Sequence, residues 1–149
     1  MFLPEPYAIY ALHNTRTNQN TKAMLLNERE DFLVFLTLKD GIVTTYTDGT
    51  AVEEWELLDE VPYAPQAYRE MPYNEVTLSA LEPESFTFCK LRNGDVCVLF
   101  EVDDYEPMPV KIYSIIFDGI YRYYKSGSIF PVPSQYDIET IYLNIDKLN

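Results

Sequence analysis

Phe86-Thr-Phe-Cys-Lys-Leu91-Arg-Asn-Gly94-Asp-Val96-Cys-Val-Leu-Phe-Glu-Val102 is the stretch that decides the fold. Two runs rich in Phe, Val, Leu and Cys flank Arg92-Asn93-Gly94. Asn-Gly between apolar runs is a strong hairpin signal, because glycine takes a positive φ without steric cost and closes the turn. The reading is a strand over 86–91, a turn at 92–94 and a return strand over 96–102.

The same pattern extends in both directions. Downstream, residues 110–117, a turn at Asp118-Gly119 and residues 120–124 form a second hairpin. Ser126-Gly127-Ser128 turns the chain again, and 138–145 is apolar enough for a central strand. Upstream, 32–38, a turn at Lys39-Asp40-Gly41 and 42–47 form another hairpin, and Asp48-Gly49 leads into a strand over 51–58. Alternation on that strand turns Trp55 and Leu57 inward and Glu54 and Glu56 to water. Residues 7–12 read as a short strand, the polar run 13–22 as a loop, and 23–30 as two helical turns by propensity. Leu38-Lys39-Asp40-Gly41-Ile42-Val43 echoes Leu91-Arg92-Asn93-Gly94-Asp95-Val96. The echo reads either as two similar hairpin units or as one good turn used twice.

Residues 59–75 break the pattern. Pro62, Pro65 and Pro72 cannot donate to a ladder, and Tyr63, Tyr68 and Tyr73 stand among them, so the segment reads as extended surface chain or linker. A short helical turn is expected over 78–82. The fold class is therefore mostly β (β-rich α+β), with short antiparallel strands in a small barrel or sandwich. One domain spans 1–149, with a subdivision into 1–60 and 85–149 joined by the Pro/Tyr-rich 61–84 as the alternative. The expected core holds Phe32, Val34, Trp55, Phe88, Val96, Val98, Ile115, Ile138 and Ile141.

Charge is placed in blocks. Residues 48–84 hold ten acids against the single base Arg69, and 101–106 hold four acids and no base, which accounts for the whole net charge of −13. Such a balance repels nucleic-acid phosphate and anionic membrane and favours a basic protein surface. A chain of 149 residues, 47% hydrophobic, builds a core without metal or disulfide support. Its 13 Tyr and 8 Phe bring wide, rigid contact area. No run approaches the roughly 18 apolar residues of a membrane span. Met1-Phe-Leu-Pro-Glu-Pro6 lacks the basic and apolar regions of a signal peptide, so a cytoplasmic location is expected.

No catalytic residue, metal ligand or cofactor is assigned, and the expectation is a protein that is not an enzyme. His13, the sole histidine, lies in the polar run without a nucleophile pattern. Gly-x-Gly-x-x-Gly, Walker and His-Glu-x-x-His motifs are missing. Asp103-Asp104-Tyr105-Glu106 lacks the ligand spacing of a calcium loop and reads as a solvated acidic loop. Cys89 and Cys97 are too far apart for a redox pair and read as two buried thiols, with a disulfide as the alternative. Tyr121-Arg122-Tyr123-Tyr124-Lys125 reads as a strand with one core face. The partner-binding candidates are Glu53, Glu54, Glu56, Asp59, Glu60, Tyr63, Tyr68, Glu70, Tyr73, Glu101, Asp103, Asp104 and Glu106.

Tyr123-Tyr124-Lys125-Ser126-Gly127, followed by Ser134-Gln135-Tyr136-Asp137-Ile138-Glu139-Thr140-Ile141, resembles the last strands of small uncharacterised phage-encoded β proteins. In these a Gly turn leads to an Asp-Ile-x-x-Ile strand. The resemblance covers about the last thirty residues and implies phage or prophage origin, with no activity and no functional residues to carry over. Together with the charge it makes a phage accessory protein the leading expectation. Its acidic surfaces would bind and inhibit a host protein, and mimicry of DNA against a restriction, CRISPR or transcription protein is the sharpest form. The alternatives are a virion structural or assembly protein, and a small-molecule (nucleotide) binder with aromatic residues lining a barrel mouth.

Overall fold

The computed structural model describes residues 6–46, 54–58, 68–81 and 85–144. The chain divides into two compact units, Met1–Pro65 and Gln66–Asn149, and each has its own antiparallel sheet.

The first sheet holds β1 (Ile9–Asn14), β2 (Gln19–Glu28), β3 (Phe32–Thr37), β4 (Gly41–Tyr46) and β5 (Trp55–Leu57), in the order β4-β3-β2-β1-β5. Four strands meander and the fifth returns beside the first. The sheet curls until its edge strands β4 and β5 come within 8 Å, Cα to Cα. Tyr10, Leu12, Leu25 and Phe35 are almost fully buried inside it, and Trp55 joins them from β5. The Tyr10 and Phe35 rings meet edge to face at 6.0 Å, the arrangement their quadrupoles favour.

The structure corrects two expectations here. The polar run 13–22 is not a loop and 23–30 is not helical: 13–28 belong to the β1–β2 hairpin, and 29–30 follow it. Asn14 closes its turn. The Asn14 side-chain oxygen accepts the Arg16 and Thr17 N–H groups at 2.9 and 3.0 Å, and Asn18 adopts φ 57°. Asparagine tolerates that left-handed conformation better than most residues. The strand that follows sets Ala23 opposite Tyr10 and Leu25 opposite Phe35. Helix preference is worth a few tenths of a kcal/mol per residue. Burying one leucine side chain is worth about 1.5–3 kcal/mol, so packing decides.

The second sheet holds β6 (Tyr68–Pro72), β7 (Thr87–Leu91), β8 (Val96–Val102), β9 (Val110–Ser114), β10 (Gly119–Tyr123) and β11 (Ile138–Asn144), in the order β10-β9-β8-β7-β11-β6. Again four strands meander and a later one returns beside the first, with β6 added outside it. Leu91, Leu99, Val110, Ile112, Ile138 and Ile141 form the centre of its core. The Pro/Tyr-rich segment is thus not linker over its described part: β6 pairs with β11, and Pro72 is tolerated because β6 is an edge. The one described helix, α1 (Glu75–Ser79), starts earlier than expected, while Glu82 lies outside the described residues. Its cap explains the shift: Asn74 Oδ1 accepts the Thr77 N–H, and Thr77 Oγ1 accepts the Asn74 N–H, both at 2.9 Å.

The two units share a strand plan, yet the sequence echo aligns the wrong turns. By topology the β3–β4 turn corresponds to β9–β10, not to β7–β8. The local chemistry agrees. Thr37 Oγ1 accepts the Asp40 N–H and Thr37 pairs with Gly41; Ser114 Oγ accepts the Phe117 N–H and Ser114 pairs with Gly119. An Asp-Gly-Ile tripeptide ends both turns. Gly94, by contrast, sits inside its turn at φ 95°.

Of the expected core, Trp55, Val98, Ile138 and Ile141 are buried. Phe32, Val34, Phe88 and Ile115 are only half-buried, and Val96 is exposed. Both faces of these strands carry apolar side chains, so alternation alone selects the wrong one: Leu33 and Phe35, and Cys89 and Leu91, are the inward residues. The expected turn at Asp48-Gly49, the start of the strand over 51–58 and residue Ile145 lie outside the described residues.

Cys89 and Cys97 face each other across β7 and β8 as free, fully buried thiols. Burial raises the Cys89 pKa far above the usual thiol value; burial, helped by the Asp95 carboxylate, pushes Cys97 up to about 11. Both stay protonated in the native state while unfolded thiols ionise near 9.0. The contribution of these two thiols to stability is therefore complete below about pH 9 and is lost progressively as pH rises through 11. Tyr73 and Tyr123, whose phenols burial also holds up, add to that loss. Thiol reagent at pH 8 is expected to label neither cysteine until denaturant is added, and urea midpoints are expected to fall above pH 9. Native labelling at the unfolded rate would contradict this account.

Candidate functional site

The acidic loop between β8 and β9 is a built structure. The Asp103 N–H donates to the Pro109 carbonyl at 2.8 Å, and the Glu106 N–H donates to the Asp103 carbonyl at 3.1 Å. Asp103 Oδ1 accepts the Tyr105 N–H at 3.1 Å. This side-chain bond to backbone two residues on is an Asx turn, and Pro107 and Pro109 restrict the chain around it. Tyr105 projects from the loop 100% exposed, between Asp104 and Glu106. The expected site did not include it. The signal for it was present, an Asp-x-Tyr turn ahead of two prolines, but its exposure depends on the hydrogen bonds of the turn.

Several candidate carboxylates are committed to cations of the same unit. Glu101 lies 3.9 Å from the Lys111 ammonium and 3.6 Å from the Arg122 guanidinium. Glu70 lies 3.7 Å from Lys90, and Asp104 lies 3.8 Å from Lys125. Strand register puts Glu70, Lys90, Glu101, Lys111 and Arg122 on the sheet face opposite the core. With two acids and three bases, that face is not acidic. Such surface pairs add little to stability, but their effect on the field is to cancel it locally. Asp103 is occupied by its turn, and Asp104 stays exposed beside Lys125, so Asp104, Tyr105 and Glu106 are the loop's presented groups.

In the first unit Glu54 and Glu56 are exposed on either side of buried Trp55, as alternation predicts. Glu54 pairs with Arg16 at 3.2 Å, and its carbonyl accepts the Thr15 N–H at 2.8 Å. Glu53, Asp59, Glu60 and Tyr63 lie outside the described residues. Tyr68 is 47% exposed on the edge strand β6.

Tyr73 is half-buried and tied within its own unit: the hydroxyl donates to the Lys125 carbonyl at 2.9 Å and the ring lies on Gly127. His13 likewise sits on β1 rather than in a loop, with Nδ1 2.6 Å from Asn20 Oδ1. Among the described residues no group of three or more His, Cys, Asp or Glu is placed to hold a metal ion. Among them, too, no helix is long and apolar enough to cross a membrane.

Comparison with known protein families, curated proteins and solved structures finds no match. The site therefore stands on its geometry.

The Tyr73 assignment is testable. Gly127 has φ 91°, and an added Cβ would stand 2.7 Å from Tyr73 Cε1. Gly127→Ala is expected to cost about 1–2 kcal/mol for the left-handed backbone and about 1–3 kcal/mol for the crowded ring. In a Tyr73→Ala background the ring cost disappears, and the backbone cost remains together with the 3.3 Å approach to the Ile138 carbonyl. Equal costs in both backgrounds, measured by urea unfolding, would show that the ring lies elsewhere.

Proposed function

We propose that this is a non-enzymatic acidic binding protein whose β8–β9 loop docks on a basic protein surface. The observation that carries the reading is Tyr105, fully exposed on a hydrogen-bonded turn between two carboxylates. Tyrosine is enriched among residues that dominate binding energy. A loop already held in shape loses little entropy on docking. Flanking carboxylates speed encounter with a cationic patch and select against acidic ones.

The phage-like C-terminal pattern favours a particular form, an accessory protein that inhibits a host nucleic-acid-binding protein in the cytoplasm. Mimicry of DNA is the strictest version, since it asks for unpaired carboxylates at phosphate-like spacing. The pairing of Glu70, Glu101 and Asp104 with bases weakens that version and favours an aromatic anchor with acidic flanks.

Capture from bacterial lysate followed by titration of the captured partner tests this reading. Tyr105→Ala is expected to leave stability within about 0.5 kcal/mol, as for any exposed site, and to weaken binding at least about tenfold. Asp104→Asn with Glu106→Gln is expected to slow association and flatten its salt dependence. Capture that survives both changes and high salt would refute the proposal.

A further inference from the structure

The second unit contains a pocket of about 200 Å³ that the acidic loop does not use. It lies between the core face of the sheet and the segment carrying the chain from β10 to β11. Leu91, Ile112 and Tyr123, none more than 4% exposed, make its floor; Phe117, Tyr121 and Phe130, between 40% and 57% exposed, make its rim.

The walls are held in place by the fold. The Tyr123 hydroxyl donates to the Tyr136 carbonyl at 2.7 Å, tying β10 to the crossing segment. Buried Asp137 anchors the far end of that segment by accepting the Ser134 N–H and hydroxyl, each at 3.2 Å, with Arg92 3.7 Å away. On the rim, Gly119 lets the Tyr121 ring lie back on the main chain: an added Cβ would stand 3.3 Å from Tyr121 Cε2. A pocket pre-formed in this way loses little entropy when it fills.

Its chemistry is narrow. No Lys, Arg, Asp, Glu or His lines it. Its polar side-chain atoms are hydroxyls alone; Ser114 Oγ accepts the Phe117 N–H and the Tyr123 hydroxyl is already engaged. A charged ligand would shed its water there with no counter-charge to meet. This disfavours nucleotides, whose phosphates would also meet the field of a chain at −13. A cavity of about 150 Å³ lined by apolar side chains takes up benzene, so this slightly larger space suits one ring or two fused rings. The aromatic rim supplies faces for stacking.

We infer that this pocket binds an uncharged planar aromatic molecule of about indole size. Indole titrated into the full chain, followed by calorimetry and ligand-observed NMR, tests the inference, with AMP as the charged comparator. Saturable indole binding at one site is expected, and AMP is expected not to bind. The exposed-rim variant Phe117→Ala/Phe130→Ala is expected to weaken indole about tenfold while its melting curve shows it folded. Tyr105→Ala is expected to bind indole as the parent does, which separates this site from the docking loop. No saturation up to the solubility of indole would overturn the inference. So would affinity unchanged in the rim variant, or AMP binding as tightly as indole.

Discussion

Ile141 stands opposite Cys89 in the ladder between β11 and β7, and the second unit depends on that long-range pairing. Local hairpins build β7 to β10 without help. Only the return of β11 to the first strand of the meander completes the core, because Ile138, Ile141 and Leu143 all arrive with it. The same return draws the 124–137 segment across the core face, sets Asp137 beside Arg92 and gives β6 its partner. In the first unit β5 makes the equivalent return to β1 and brings Trp55. Closing such loops costs entropy that grows slowly with length; burying large apolar side chains offsets it.

The hairpins were legible because their turns carry Asn-Gly and Asp-Gly between apolar runs, and turn chemistry acts over a few residues. What escaped was tertiary. β2 looks helical by residue preference and becomes a strand because its apolar side chains pack in the sheet core, and the turn before it, made by Asn14 and Asn18, carries no glycine to announce it. The core faces of β3 and β7 were misread because Phe32 and Val34, or Phe88, are as apolar as the residues that point inward. A common plan for the two units was suspected from an echo at the wrong turn; the matching pair, Thr37 with Gly41 and Ser114 with Gly119, is visible only through pairing.

The acidic blocks change meaning in three dimensions for a related reason. Lys111, Arg122 and Lys125 lie outside both blocks along the chain, yet they stand beside Glu101 and Asp104 in the fold. Linear charge counting finds the blocks and overstates the local field at Glu101 and Asp104. What the structure adds is the fully exposed ring of Tyr105, whose setting no composition reveals.

β6 carries a consequence for how the protein keeps to itself. Without it, the outer backbone groups of β11 would form an open row along Thr140–Asn144, a ready template for another chain's strand. β6 covers that row and is itself a poor template: five residues long, carrying Arg69 and Glu70, and ending at Pro72, which has no N–H to offer. Tyr73 then fastens the end of the guard strand to the Lys125 carbonyl. A fragment of the second unit that begins at β7 would lose both the cover and its fastening. Over its described part, the segment read as extended surface chain or linker is a cover for the sheet edge.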